Sequence, residues 1–253
     1  MEQATSLDEL FRRLARLEEI DMRVGLLCEQ LESCSEEEGV RLMDAAHRAA
    51  ALGDPDAQLV FLALGWALFE PRVESRRREL GVAARRAELH EVADFVLPPA
   101  EEETPDDDKR RIPDLGRGRP LTLGERKSLA RTHDRTLIQR VVQDPHPDVV
   151  RILLGNPSLT EHDVVRICAA RPNDPQVLQT VYRSRRWVVR YRPRNAIIRN
   201  PDTPIDIALL LAPLLRRPEL REAATSSELA PAVRLSCRTI LGIRSGRSVP
   251  PKD

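Results

Sequence analysis

The residues best suited to chemistry in this chain are arginines, gathered in one short stretch with a tryptophan and a tyrosine among them. Guanidinium groups form planar, paired hydrogen bonds with phosphates and carboxylates, and the aromatic rings offer faces on which a planar group can stack. The stretch therefore predicts a surface that binds an anionic partner. Its candidate binding residues are Arg183, Arg185, Arg186, Trp187, Arg190, Tyr191, Arg192, Arg194 and Arg199.

The seven arginines from residue 183 to residue 199 are called the arginine cluster below. Three interpretations of this cluster are open. The first is a solvated helix face that Trp187 anchors in the core. The second is a docking surface for an acidic protein segment, and the third is a nucleic-acid site that contacts phosphates. A binding surface requires Trp187 to be at least half buried and six of the arginines to be mostly exposed and on one side of the domain: Arg183, Arg185, Arg186, Arg190, Arg192 and Arg194.

No local pattern indicates catalysis, a metal or a cofactor. The glycine-rich loops that bind nucleotides are absent, and His90-Glu91 is followed by Asp94 where a zinc-protease helix carries its second histidine. The four cysteines, Cys28, Cys34, Cys168 and Cys237, form no C-x-x-C pair, and we expect them to be reduced and mostly buried. We therefore predict a protein that is not an enzyme, with no cofactor and no small-molecule substrate.

The formal net charge of zero conceals two halves of opposite sign. Residues 1–108 carry 12 Lys and Arg against 26 Asp and Glu, a net charge of −14, and residues 109–253 carry 28 against 14, a net charge of +14. The sign changes within 99–120, which is charged and contains Pro and Gly, so it predicts a flexible linker. Its acidic run, 101–108, is a candidate partner that masks the arginine cluster of the same chain.

Residues 1–98 form the predicted acidic helical domain, with about five helices. Ser6 with Glu9, and Ser35 with Glu38, have the spacing of helix-opening capping boxes. Gly53 suits the left-handed residue that ends a helix. The pattern leaves open whether these helices form a small bundle or two further repeat units.

One phrase occurs twice in the second half of the chain. An apolar helical run stops at Asn-Pro, and a threonine with an aspartate three residues later opens the next helix. The copies are Asn156-Pro157-x-x-Thr160 and Asn200-Pro201-x-Thr203, 44 residues apart. A period in the forties is typical of stacked HEAT or armadillo repeats. We predict antiparallel helix pairs over residues 121–244, the last copy lacking Asn-Pro, and a polar tail at 245–253.

These phrases carry a resemblance to a known family. Asp144-Pro-x-x-x-Val-Val-Arg151, with the two Asn-Pro phrases, resembles the leucine-rich repeat variant family, a bacterial relative of HEAT-type solenoids. The likeness covers residues 125–244. It implies an α-helical superhelix with an interaction role and names no partner. The iron–sulfur cysteines of the family's founding member are not matched, since only Cys28 and Cys34 lie near the N-terminus.

The composition predicts an all-α fold, in which helical repeats follow an N-terminal helical bundle or repeat part. Aromatic residues are only 3% of the chain, which favours helix over sheet. No apolar stretch reaches the ~20 residues of a membrane span, so we expect no membrane partner. The N-terminus lacks a signal-like pattern, which predicts a cytoplasmic protein. The predicted function is a scaffold or interaction module that binds an acidic partner through the basic repeats; the alternative is nucleic-acid binding.

Overall fold

The computed structural model describes residues 2–97, 119 and 121–246, with side chains from residue 9 onward. Throughout these residues the secondary structure is helical and no strand occurs. The fold is therefore all-α, with packed helices in a repeat-like arrangement, as predicted. Except for Arg119, the predicted linker 99–120 lies outside the described residues, and so do the acidic run 101–108 and the tail beyond residue 246.

Six α-helices make up the N-terminal part. They are α1 (Glu2–Arg16), α2 (Ile20–Ser33), α3 (Glu36–Leu52), α4 (Pro55–Leu68), α5 (Glu74–Arg86) and α6 (His90–Val96), with a 3-10 turn at Pro71–Val73. The predicted helix start at Ser6 is wrong, because α1 already begins at Glu2 and Ser6 lies inside it.

The predicted ends of α3 are confirmed. The Ser35 hydroxyl accepts a hydrogen bond from the backbone N–H of Glu38 at 3.2 Å, and the Glu38 carboxylate accepts one from the backbone N–H of Ser35 at 2.9 Å. These bonds satisfy N–H groups that have no partner within the helix. At the other end Gly53 has φ +94°, in the left-handed region that glycine adopts without steric cost.

A buried histidine lies in the core of the N-terminal helices. The ring of His47 on α3 is 5.6 Å from Phe61 and 5.9 Å from Phe95, and the two phenylalanines meet edge to face. Its Nδ1 is 3.7 Å from a Glu91 carboxylate oxygen on α6. Burial lowers the pKa of His47 to about 4, since the charged form is costly away from water. At neutral pH the side chain therefore packs as an uncharged ring.

Ten further α-helices follow, in three groups. The first comprises α7 (Leu123–Leu129), α8 (Arg135–Val141) and α9 (Pro147–Leu154); the second α10 (Glu161–Ala169), α11 (Pro175–Arg183), α12 (Arg185–Val188) and α13 (Tyr191–Ile198); the third α14 (Ile205–Leu211), α15 (Arg217–Thr225) and α16 (Pro231–Ile243). Helix α7 packs against α9, α10 against α13, and α15 against α16. The period of 44 residues thus spans three helices, or four with the short α12, rather than the predicted pair, because the repeated phrase marks only one turn in each group.

The asparagine of the repeated phrase closes the first group. Asn156 follows α9 and donates from Nδ2 to the carbonyls of Ala130 at 2.9 Å and Thr132 at 2.7 Å, at the end of α7. Its Oδ1 accepts a hydrogen bond from the backbone N–H of Ser158 at 2.8 Å. One buried amide therefore satisfies carbonyls that the end of α7 leaves unpaired.

Asn200 repeats this arrangement in the second group. It follows α13 and donates to the carbonyls of Cys168 at 2.7 Å and Ala170 at 2.9 Å, at the end of α10. Its Oδ1 accepts from the backbone N–H of Asp202 at 3.0 Å. The repeated phrase is therefore explained by structure: each asparagine ties the last helix of its group to the first.

The third group closes with an arginine at the same position. Arg244 lies 44 residues after Asn200 and donates to the carbonyls of Leu215 at 2.7 Å and Pro213 at 2.8 Å, just after α14. Its Nε also donates to the carbonyl of Ala51 in α3, at 2.7 Å. The last copy lacks Asn-Pro, as predicted, but it keeps the closing contact through a longer side chain.

Contacts divide the described chain into two compact units. The discontinuous unit comprises residues 2–97 and 208–246, and the central unit comprises residues 119 and 121–207, so the division falls inside α14. The prediction of one domain over 121–244 differs from this division. Residues 208–246 belong with the N-terminal helices, because α16 and the 3-10 turn Ala212–Leu214 pack against α3. Gln58 of α4 also donates to the Pro213 carbonyl at 2.9 Å.

The predicted opening of α10 at Thr160 is confirmed. The Thr160 hydroxyl accepts from the backbone N–H of Asp163 at 3.4 Å, and the Asp163 carboxylate accepts from the backbone N–H of Thr160 at 2.9 Å. Arg135 donates two hydrogen bonds to that carboxylate, at 2.6 and 2.8 Å. Burial raises the pKa of Asp163, but the bonds from Arg135 and Thr160 outweigh it and lower the pKa to about 2.

The second predicted opening differs in detail. Helix α14 begins at Ile205, two residues after Thr203. The Thr203 hydroxyl donates to the carbonyl of Ile197 at 2.6 Å, near the end of α13. A capping role for Thr203 stays a prediction.

Candidate functional site

The arginine cluster lies on three consecutive elements of the central unit. Arg183 ends α11, Arg185 and Arg186 open the single turn of α12, Arg190 precedes α13, Arg192 and Arg194 lie in its first turn, and Arg199 follows it. Arg183, Arg186, Arg190, Arg192 and Arg199 are exposed, whereas Arg185 and Arg194 are half-buried. The prediction that the arginines are mostly exposed is thus confirmed, and their position on one side of the domain stays a prediction.

Trp187 holds this segment to the rest of the unit. The side chain is 2% exposed, and its Nε1–H donates to the carbonyl of Leu154, the last residue of α9, at 2.8 Å. The predicted burial of Trp187 is confirmed. Because a buried indole with a satisfied N–H is held in one position, the neighbouring arginines project from a fixed backbone.

The aromatic faces are covered rather than open. The guanidinium carbons of Arg186 and Arg190 lie 4.7 and 5.3 Å from the centre of the Trp187 ring, within cation–π range. Arg194 lies 5.9 Å from the ring centre of the half-buried Tyr191. The expectation that Trp187 offers a stacking face to a partner is therefore wrong, since the ring is buried beneath arginines of its own cluster.

The electrostatic balance of the cluster is strongly positive. The sequence from 183 to 199 contains seven arginines and no Asp or Glu. A carboxylate from another element reaches it where Glu161 of α10 pairs with Arg190 at 3.2 Å. An exposed ion pair of this kind contributes little to stability.

Sequence reasoning missed one arginine beside the cluster. Arg171, in the loop after α10, donates to the carbonyl of Arg199 at 2.7 Å. The contact follows from the fold, because Asn200 binds the carbonyl of Ala170 and so brings this loop to the end of α13. No pattern in the sequence indicates this contact, because it joins residues 28 positions apart.

The cysteines are free thiols. Cys28, Cys168 and Cys237 are buried and Cys34 is half-buried. Burial raises the pKa of Cys237 to about 12 and raises that of Cys168 further, which keeps both in the unreactive thiol form at neutral pH. Across the described ranges, no group of three or more His, Cys, Asp or Glu side chains is placed to hold a metal ion.

Nothing in the described part of the chain has the length and apolar character of a membrane-crossing helix. Comparisons with protein-family models, with curated proteins and with solved structures found no match. Function is therefore inferred from the geometry of the arginine cluster.

Proposed function

We propose that the protein is a non-enzymatic interaction module or scaffold, which binds an acidic segment of a partner protein through the arginine cluster. One observation supports this most: a fixed backbone, anchored by Trp187, carries seven arginines with no acidic residue among them. Arginines on a fixed backbone lose less conformational entropy when carboxylates bind than arginines on a flexible one. We also propose that the chain is related to the leucine-rich repeat variant family, which it resembles. This relation agrees with an interaction role.

Nucleic-acid binding is the alternative, because guanidinium groups bind phosphates as well as carboxylates. The burial of Trp187 counts against a single-stranded ligand, whose bases bind by stacking on open aromatic faces. A duplex contacted only through its phosphates remains compatible with the exposed arginines. The acidic protein partner is preferred and the duplex is the competing outcome of the test. We also propose a cytoplasmic location, with which the four free cysteines agree.

The test measures the binding of two labelled probes by fluorescence anisotropy. One probe is a glutamate-rich peptide and the other is a short DNA duplex, each titrated with the full chain at about 50 and 200 mM salt. The charge-reversal variant Arg183→Glu/Arg186→Glu/Arg192→Glu changes three exposed residues of the cluster. The matched control, Arg13→Glu/Arg140→Glu/Arg221→Glu, makes the same change in net charge at exposed positions elsewhere.

We expect the peptide to bind the wild-type chain and the control, and the charge-reversal variant to lose about tenfold or more in affinity, the equivalent of roughly 1.4 kcal/mol. Equal loss in the control would show that only net charge matters. Binding of the duplex in clear preference to the peptide, with the same dependence on the cluster, would replace the proposal by its alternative.

A further inference from the structure

The N-terminal helices leave an open groove that the arginine cluster does not involve. Helices α1 and α3 both pack on α4, and between them lies a space of about 610 Å³. Phe11 and Ala15 form one wall, Ala45 and Ala49 the other, and Ala57 with Val60 the floor. This space, called the α1–α3 groove below, lies within the discontinuous unit.

The α1–α3 groove is apolar and accessible. Its wall residues Phe11, Ala15, Ala45 and Ala49 are all half-buried rather than packed away from water. Leu52 is 65% exposed and follows Ala45 and Ala49 on the same face of α3, since residues i, i+4 and i+7 of a helix share a face. Clustered exposed apolar residues on a folded protein are typical of binding sites.

Charged residues at the start of α4 determine which kind of ligand the groove favours. Asp54 and Asp56, at the start of α4, line the groove and are exposed. Asp54 accepts a hydrogen bond from the backbone N–H of Ala57 at 2.7 Å, which leaves its negative charge in place. Arg12 lies on the α1 wall. The described residues of this unit, 2–97 and 208–246, carry 18 Lys and Arg against 23 Asp and Glu, a net charge of −5, which favours a basic ligand.

We infer that the α1–α3 groove binds a basic amphipathic helix of a partner protein. Apolar side chains of that helix fill the space between Phe11 and the alanines of α3, and its Lys or Arg residues pair with Asp54 and Asp56. Ala45 and Ala49 lie one turn apart and have short side chains, which lets a helix backbone approach closely. This is the helix-in-groove mode of recognition, with polar contacts at the rim.

The test uses the full chain and a synthetic peptide of about 18 residues made of leucine and lysine, with its leucines on one helical face. A second peptide has the same composition but distributes its leucines around the helix. The blocking variant is Ala45→Lys/Ala49→Lys, which fills the groove with two basic side chains. Its control, Thr136→Lys/Gln139→Lys, adds the same charge at exposed positions of α8. Circular dichroism melts establish that each variant is folded.

We expect the amphipathic peptide to bind the wild-type chain and the control, and the blocking variant to bind about tenfold more weakly. Asp54→Asn/Asp56→Asn, which keeps a capping side chain at residue 54, is expected to lose several-fold in affinity and to show a weaker salt dependence. Equal affinities of the wild-type chain and the blocking variant, absence of binding to either, or equal binding of the second peptide would each overturn the inference. A dimer in sedimentation that Ala45→Lys/Ala49→Lys dissociates would assign the groove to a second copy of the chain and would also overturn it.

Discussion

The side chains that close the helix groups explain why the phrase Asn-Pro recurs in this chain. Asn156 and Asn200 each bind two helix-end carbonyls and one backbone N–H. An amide is the smallest side chain that can donate two hydrogen bonds and accept one at the same place. These residues are structural, and the arginine cluster lies in the segment between them.

Asn200→Ala removes three hydrogen bonds of a buried side chain at once. We expect the free energy of unfolding to fall by roughly 2–4 kcal/mol, because the carbonyls of Cys168 and Ala170 are left without a donor. Urea denaturation monitored by circular dichroism measures this loss. The control Gln139→Ala, at an exposed amide, should stay within about 0.5 kcal/mol of the wild-type chain. A similar small effect at residue 200 would refute the closing role.

His47 makes stability depend on pH. Its pKa is lowered from 6.5 to about 4 in the folded chain by burial, so the unfolded chain takes up the proton first as the pH falls. This pKa shift contributes about 3 kcal/mol to the free energy of unfolding. The contribution is fully present above pH 6.5 and is lost between pH 6.5 and 4. Urea midpoints over this range should fall steeply for the wild-type chain and less steeply for His47→Leu. His133→Gln, at an exposed histidine, should retain the wild-type slope.

At the scale of elements, the sequence patterns predicted helix ends better than helix partners. The capping boxes at Ser35 and Thr160, the left-handed Gly53 and the stops at both Asn-Pro phrases are local, since each depends on residues within one turn of the chain. The number of helices per group was not predicted, because α8 and α11 begin after Asp134 and Asp174 without the repeated phrase.

The exposure of the arginine cluster and the burial of Trp187 were also predictable, because charged side chains avoid the core and a large apolar ring does not. The covering of Trp187 by Arg186 and Arg190 was not, since it depends on which way each guanidinium turns after the backbone is placed. The contact of Arg171 with the carbonyl of Arg199 similarly joins residues 28 positions apart, which no local pattern indicates.

Thr160→Ala tests the opening of α10. The substitution removes the hydroxyl that accepts from the N–H of Asp163 and donates to its carboxylate. We expect a loss of about 0.5–2 kcal/mol in the free energy of unfolding. Thr160→Ser keeps the hydroxyl and should retain most of the stability. Equal losses in the two variants would show that the methyl group, not the cap, is responsible.

At the scale of the whole molecule, the last helix of the chain, α16, packs with the N-terminal helices. Arg244 near the C-terminus binds the carbonyl of Ala51, so α16 belongs to the same compact unit as α3. Arg244→Met removes hydrogen bonds to three carbonyls in that unit and leaves Ala51 and Leu215 without the side-chain donor, whereas Pro213 keeps its bond from Gln58. We expect a loss of roughly 2–4 kcal/mol, against little change for the exposed Arg221→Met. Denaturation curves that coincide for the two variants would contradict this role.

The acidic run 101–108, which lies outside the described residues, stays a predicted mask for the arginine cluster. Because residues 208–246 pack with the N-terminal helices, the test keeps the full chain and neutralises Glu101, Glu102, Asp106 and Asp107 to their amides. We expect affinity for the glutamate-rich peptide to rise several-fold at low salt and the gain to vanish at high salt. The control neutralises the exposed Glu9, Glu18, Glu19 and Glu29. Equal affinities in the wild-type chain and both variants would leave the run without a masking role.

The central claim, that the arginine cluster binds an acidic protein segment, is tested most directly by co-purification from the native host. The wild-type chain, the variant Arg183→Glu/Arg186→Glu/Arg192→Glu and the control Arg13→Glu/Arg140→Glu/Arg221→Glu are tagged and recovered in parallel after nuclease treatment. We predict that a protein with an acidic segment is retained by the wild-type chain and the control and lost from the charge-reversal variant, and that a peptide of that segment competes for binding. Retention of the same proteins by all three chains, or loss of every cluster-dependent partner on nuclease treatment, would contradict the claim.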